Sequence, residues 1–294
     1  MMEGRVVRGG RSVVPDMYTR AATKKYGPKD IKRVVNVVDN VTITVIIYGK
    51  LIGIRQFKVK LKAYLKELIP MLHALTSMRR KHITIEFYPL GNRKLMPSRS
   101  GAPINAEHVN SGFCYIHSRD EDVNIVIYRR EEFFKVMTHE LVHLYDLILD
   151  DPVITQMFRQ KYTTLSDIDA NEAQTELMAV VLNSLVIHRL SVDNTSIEDL
   201  LRRELHRCSV VTNLLVSHFG LEGKTHDPSE IEMRWHESTH SFAYYMLRCA
   251  LFSLLCHEFS IMNTPNTKGC VYTPQINVNS LRMTINDIEN IKLT

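Results

Sequence analysis

Hydrophobic and polar positions alternate between Val34 and Ile54, with Val41, Ile43, Val45 and Ile47 on one side. A two-residue period of this kind predicts a half-buried strand, or two strands turning near Gly49. From Phe57 to Met78 the spacing becomes helical: Phe57, Leu61, Tyr64, Leu65, Leu68, Leu72 and Leu75 are apolar with lysines between them, and Pro70 marks a kink. His82 to Tyr88 alternates again, and Pro89 to Pro103 gathers Gly, Pro, Ser and basic residues into a loop. Asn110-Ser111-Gly112-Phe113-Cys114-Tyr115 reads either as an ordinary turn or as the approach to an edge strand beside which a peptide could lie closely. Val123 to Tyr128 supplies a further strand.

Helical spacing dominates the chain from residue 129 onward. A mostly apolar helix runs through Phe133, Val136, Leu141, Leu144 and Ile148, and Asp150-Asp151-Pro152 breaks it. Val153 to Tyr162 predicts a short helix, Ala170 to Arg189 a longer one capped by Asp167 or Asp169, and Ile197 to Phe219 an amphipathic one ending at Gly220. Glu230 to Phe259 reads as helix and the polar tail from Asn263 to Thr294 as short strands. The order predicts an α+β fold: a sheet-rich part over 30–128, a mostly helical part over 129–262 and a tail over 263–294, behind a flexible basic arm over 1–29.

Composition narrows the class. A chain of 294 residues, 45% of them hydrophobic, can bury one large core or two joined ones. The net charge of +5 is mild. Arg5, Arg8, Arg11, Arg20, Lys24, Lys25 and Lys29 concentrate positive charge in the arm, which reads as a solvated tail or as a tether for nucleic acid or an acidic partner. Five cysteines without a CxxC pair, and no secretory apolar segment, point to a reducing intracellular setting. The apolar run Phe242 to Ile261 is interrupted by Arg248, His257 and Glu258, so it reads as a buried helix and no membrane partner is expected.

The candidate chemistry lies in Thr138-His139-Glu140-Leu141-Val142-His143. Residues four apart share a helix face, so His139 and His143 can hold one metal ion with Glu140 beside them as general base, the pattern of a zinc hydrolase. The five-residue pattern is short, but it sits in an apolar helix where two imidazoles and a carboxylate need ligation or pairing. A third ligand six residues after His143, the metzincin arrangement, is missing because that position is Leu149. Asn171-Glu172-Ala173-Gln174-Thr175-Glu176 offers two carboxylates four apart instead: Glu172 can reach the metal while Glu176 hydrogen-bonds a ligand histidine. Glu172 can also be read as a capping residue three after Asp169. Asp146 competes for the supporting role beside an imidazole. His236-Glu237-Ser238-Thr239-His240 repeats the spacing, and His236 or His240 is expected to serve near the first site. Tyr162, His240, Tyr244 and Tyr245 are candidate donors to a developing oxyanion.

His139, Glu140, His143, Glu172 and Glu176 together resemble the gluzincin zinc peptidases of the thermolysin-like clan, across about Val123 to Leu185. The resemblance implies a zincin-like fold, Zn2+, a peptide or protein substrate and peptide-bond hydrolysis. A weaker likeness, carried by Tyr128 to Lys135 and Phe242 to Tyr245, is to metallopeptidases encoded by large DNA viruses, which implies an intracellular or virion-associated setting. The competing readings are a catalytically inactive zincin-fold structural or virion protein that binds through the basic arm, and a hydrolase of non-peptide amides.

Overall fold

The computed structural model describes residues 31–91, 93–115, 123–147, 156, 170–193, 195–225 and 227–258. The basic arm, the break at Asp150-Asp151-Pro152, the segment Val153 to Tyr162 apart from helical Gln156, and the polar tail lie outside the described residues.

Five strands form one mixed sheet: β1 (Ile31–Val38), β2 (Val41–Tyr48), β3 (His82–Phe87), β4 (Gly112–Cys114) and β5 (Val123–Ile127). Their order is β1-β2-β3-β5-β4. The β1–β2 and β5–β4 pairs are antiparallel, whereas β2–β3 and β3–β5 are parallel. The strands at the amino end turn at Asp39-Asn40 and not at Gly49. Asp39 (φ 47°) and Asn40 (φ 63°) both adopt the left-handed conformation, as a two-residue hairpin that follows the twist of its strands requires. Between β3 and β5 the register slips beside Thr84, and the buried Asn124 side chain accepts the Thr84 N–H at 2.7 Å.

Period two decides which side of the sheet is core. Ile43, Val45, Ile47, Ile83, Ile85, Phe87, Ile125 and Ile127 are fully buried and share one cluster with the helices. Helix α1 (Ile54–Leu75) joins this core through Leu61, Leu65, Leu68, Ile69 and Leu72, while Pro70 falls on its exposed face. A short α2 (Ala106–Val109) precedes β4. Helix α3 (Phe133–Leu144) carries the first histidine pair and packs against α4 (Ala170–Leu190), β4 and β5. Helices α5 (Ile197–His218) and α6 (Pro228–Arg234) come next. The continuous helix expected from Glu230 is broken: after α6 comes a non-helical stretch, then a π-helical segment (Ala243–Leu247) leading into α7 (Arg248–Glu258). Among the described residues, no helix is long and apolar enough to cross a membrane.

Two contacts fix α3. The buried Tyr64 hydroxyl of α1 lies 2.7 Å from Thr138 Oγ1 on α3 and donates to Asn183 Oδ1 on α4 at 2.8 Å, pinning three helices at one point. On the sheet side, Gly112 allows β4 to press against α3: a Cβ there would stand 2.8 Å from both Val136 Cγ1 and the Val126 carbonyl oxygen. Gly112→Ala is therefore expected to lower stability by about 1–3 kcal/mol through overpacking. Denaturant midpoints of the two proteins check this.

Candidate metal centre

A helical spacing of four brings His139 and His143 onto the same face of α3, with their Nε2 atoms 3.2 Å apart. Helix α4 crosses that face and delivers Glu172, whose Oε2 lies 3.5 Å from each of the two Nε2 atoms. A tetrahedral metal bound at about 2.0–2.1 Å requires ligand atoms roughly 3.3 Å from one another. The observed triangle matches that requirement, and it is the group of His, Cys, Asp or Glu side chains able to hold a metal among the described residues. Glu172 Oε2 is buried and makes no hydrogen bond within accepted geometry, so it points into the triangle without another role.

Burial alone would raise the Glu172 carboxyl, but the two imidazoles hold it well below the ordinary carboxylate range. His139 shows the reciprocal effect. Burial opposes its protonation, yet the Glu172 and Glu176 carboxylates outweigh burial and lift the metal-free imidazole to about 10. Glu140 differs from both: burial raises it, and the neighbouring imidazoles offset this only in part. A carboxylate pushed upward in this way is suited to accepting a proton.

Glu176 supports the triangle from behind. Its Oε2 accepts from His139 Nδ1 at 2.9 Å, which leaves Nε2 as the ring atom facing Glu172. Its Oε1 takes Lys135 Nζ at 2.7 Å and Arg248 Nη1 at 2.5 Å. Burial would raise Glu176 too, but Lys135, the bond to His139 and Arg248 keep it well below the ordinary range. Asp146 does not take this supporting place. Helix α3 ends at Leu144, and Asp146, with φ 50°, is turned out into solvent. His143 Nδ1 has no hydrogen-bond partner among the described residues.

Of the candidate oxyanion donors, Tyr244 is the one brought to the triangle. Its ring centroid lies 5.7 Å from that of His139, and its hydroxyl is close enough to Glu172 and Glu140 to feel their charges. Burial and the charges of Glu172 and Glu140 raise that hydroxyl well above its ordinary value, so it stays a donor. Tyr245 instead has the Arg248 guanidinium 5.7 Å over its ring. His240 contributes its carbonyl to the Tyr244 N–H. Tyr162 lies outside the described residues.

The repeat of the histidine spacing at 236–240 is not helical, so His236 and His240 do not share a helix face. Glu237 is its working residue: Oε2 accepts from Trp235 Nε1 at 2.9 Å, from the Ser241 hydroxyl and from the Phe242 N–H at 2.7 Å. It thereby caps the helical run that carries Tyr244 and Arg248.

Three neighbours are not singled out by the sequence pattern. Lys135 stands four residues before His139 on α3, a spacing that already places both on one face. Cys114, on β4 two residues after Gly112, lies beside Glu140; burial and the charges of Glu140 and Glu172 raise its thiol strongly. Arg248 follows directly on the π-helical segment and reaches Glu176, a pairing between distant elements that no sequence period reveals. A cavity of about 290 Å³, lined by Phe57, Phe87, Phe133 and Phe134 with Arg130 and Lys135, adjoins the amino end of α3 but is lined by none of the three triangle residues.

Comparison of the chain with protein-family models, with curated proteins and with solved structures gives no match in any of the three.

These groups set the pH dependence of the metal-free protein. A folded-state value for His139 of about 10, raised from 6.5, contributes stability that is complete below 6.5 and lost as the pH rises through about 10. Glu172 and Glu176 act in the opposite sense: their contribution is present above about 4.5 and lost as the pH falls through their lowered values. Chemical denaturation across this range should show a loss of stability on the alkaline side that disappears in His139→Gln.

Proposed function

We propose that this chain is a metal-dependent peptidase of the gluzincin type, with His139, His143 and Glu172 holding a zinc ion and Glu140 acting as general base. The observation that carries the reading is the triangle itself: three ligand atoms from two helices, 3.2, 3.5 and 3.5 Å apart, with one buried oxygen unpartnered. Nitrogen, nitrogen and carboxylate oxygen in tetrahedral spacing suit zinc, and three protein ligands leave a position for water. Zinc bound there supplies a Lewis acid that polarises a carbonyl and acidifies water.

The chain's own residues supply the rest. Glu140 takes a proton from the attacking water and returns it to the leaving amine nitrogen. Tyr244 Oη donates to the carbonyl oxygen as that atom gains charge. Strand β4 is the sheet edge packed against α3 among the described residues, and it passes Glu140 so closely that a Cβ on Gly112 would stand 3.4 Å from Glu140 Oε1. An extended peptide that adds to this edge lies alongside the general base.

Metal analysis and peptide hydrolysis test this reading together. Purified protein should carry about one zinc per chain and cleave peptide bonds in a chelator-sensitive way. Glu140→Gln should keep the metal and lose at least about a hundredfold in turnover, while Glu172→Ala should lose the metal. Tyr244→Phe should lower kcat by about a hundredfold with little change in KM. Protein that binds no zinc, or a Glu140→Gln variant with full activity, would overturn the assignment. Retained function in Glu140→Gln, with binding lost on charge reversal of the basic arm, would favour the structural alternative.

A further inference from the structure

We propose that Lys135 and Arg248 are positioning residues that act through Glu176 on His139 and so set the affinity of the metal site, an inference that rests on His139 being a ligand. The Glu176 carboxylate is divided between two tasks. Lys135 Nζ at 2.7 Å and Arg248 Nη1 at 2.5 Å occupy Oε1, and Oε2 is left to His139 Nδ1 at 2.9 Å. The three partners come from two sides: Lys135 and His139 from successive turns of α3, and Arg248 from the first position of α7. With Oε1 held by two cations, the carboxylate cannot rotate without breaking two charge-assisted bonds. The imidazole plane is fixed accordingly, and Nε2 is aimed at Glu172 and His143.

A purely structural role for these cations fits the surroundings less well. The Arg248 side chain is 9% exposed and its Nε is buried without a hydrogen bond. Burying a guanidinium with a donor unmet is unfavourable, and a buried ion pair of this kind gives little net stability over well-packed apolar side chains. Lys135 has a side chain 23% exposed and lines the adjoining cavity, yet its ammonium turns inward to Glu176. Arg248 also lies over the Tyr245 ring and beside Cys208, but the two cations meet at one carboxylate, whose remaining oxygen has His139 as its partner among the described residues. Orientation of that ring is the effect both share.

Zinc affinity separates the possibilities. The experiment is competition for Zn2+ between a chromogenic chelator and the full chain, with circular dichroism as a check on folding. It compares wild type with Lys135→Met, Arg248→Met, Arg248→Lys and Glu176→Gln, and with Glu176→Gln combined with each Met variant. Lys135→Met and Arg248→Met are each expected to weaken zinc binding about tenfold or more, the size of effect seen when a partner of a metal-bound histidine is lost. Arg248→Lys should recover part of the loss. In the Glu176→Gln background neither Met substitution should weaken binding further, because the residue through which they act has lost its charge. Simple charge repulsion predicts the opposite sign, tighter zinc when either cation is removed; that result, or affinities within twofold of wild type, would overturn the inference while leaving the peptidase reading intact. Equal losses with and without the Glu176 carboxylate would overturn it as well. Wild-type protein that binds no zinc would overturn both readings together. Should Arg248→Met fail to fold, Lys135→Met at its partly exposed position decides the question.

Discussion

His139, Glu140, His143, Glu172 and Glu176 are withdrawn from water inside one helix–helix contact, and the structure around them is arranged to meet that cost. A buried carboxylate without a partner gives up its charge by taking a proton. Here Glu172 and Glu176 stay ionised because imidazoles face one and imidazole, lysine and arginine face the other. Glu140 is the carboxyl that burial pushes up, the imidazoles of His139 and His143 offsetting this only in part. Lys135 and Arg248 bring their charges to Glu176, while the two imidazoles face Glu172. The same Glu172 and Glu176 carboxylates raise the His139 imidazole against the opposing effect of burial.

Such a centre demands a rigid surround, since a shift of one side chain would leave charge unmatched. Tyr64 ties α1, α3 and α4 together on the core side. Gly112 lets β4 close on α3 from the sheet side, and the Cys114 thiol on the same strand feels the charge of Glu140. From the third side Glu237 caps the run that carries Tyr244 and Arg248, which brings a hydroxyl near Glu172 and a guanidinium to Glu176 from consecutive turns. The π-helical turn between those residues is an irregularity where helix geometry is bent to a local need.

The features legible in the sequence are those that depend on local spacing. The histidine pair, the base between them and the two carboxylates of α4 are all set by steps of four within single helices, and the strands by steps of two. The fold class rests on the same periods: the sheet is small and mixed, and helices dominate the rest. Features that arise between elements stay hidden. The hairpin at Asp39-Asn40 depends on a left-handed pair that no hydrophobic period marks, although Asp and Asn are the residues that adopt it. Asp146 would share the histidine face if α3 continued as a straight rod, but the helix stops two residues short of it. Tyr244 and Tyr245 are adjacent, and only the path of the chain after Glu237 decides which ring meets His139.

The two occurrences of the same five-residue pattern show where such a motif acquires its chemistry. At 139–143 the pattern lies on a helix, so its histidines converge, and α4 brings a carboxylate to complete the triangle. At 236–240 the backbone is non-helical, no second element among the described residues brings an acid to the histidines, and the glutamate spends its charge on backbone and side-chain donors at a helix start. The same spacing of His, Glu and His thus serves as a metal-capable face in one place and as a cap in the other. The difference lies in the backbone conformation and in what crosses the site. Glu172 and Glu176 therefore carry more of the functional reading than the histidine pattern does, because they show that a second helix has been built to meet it.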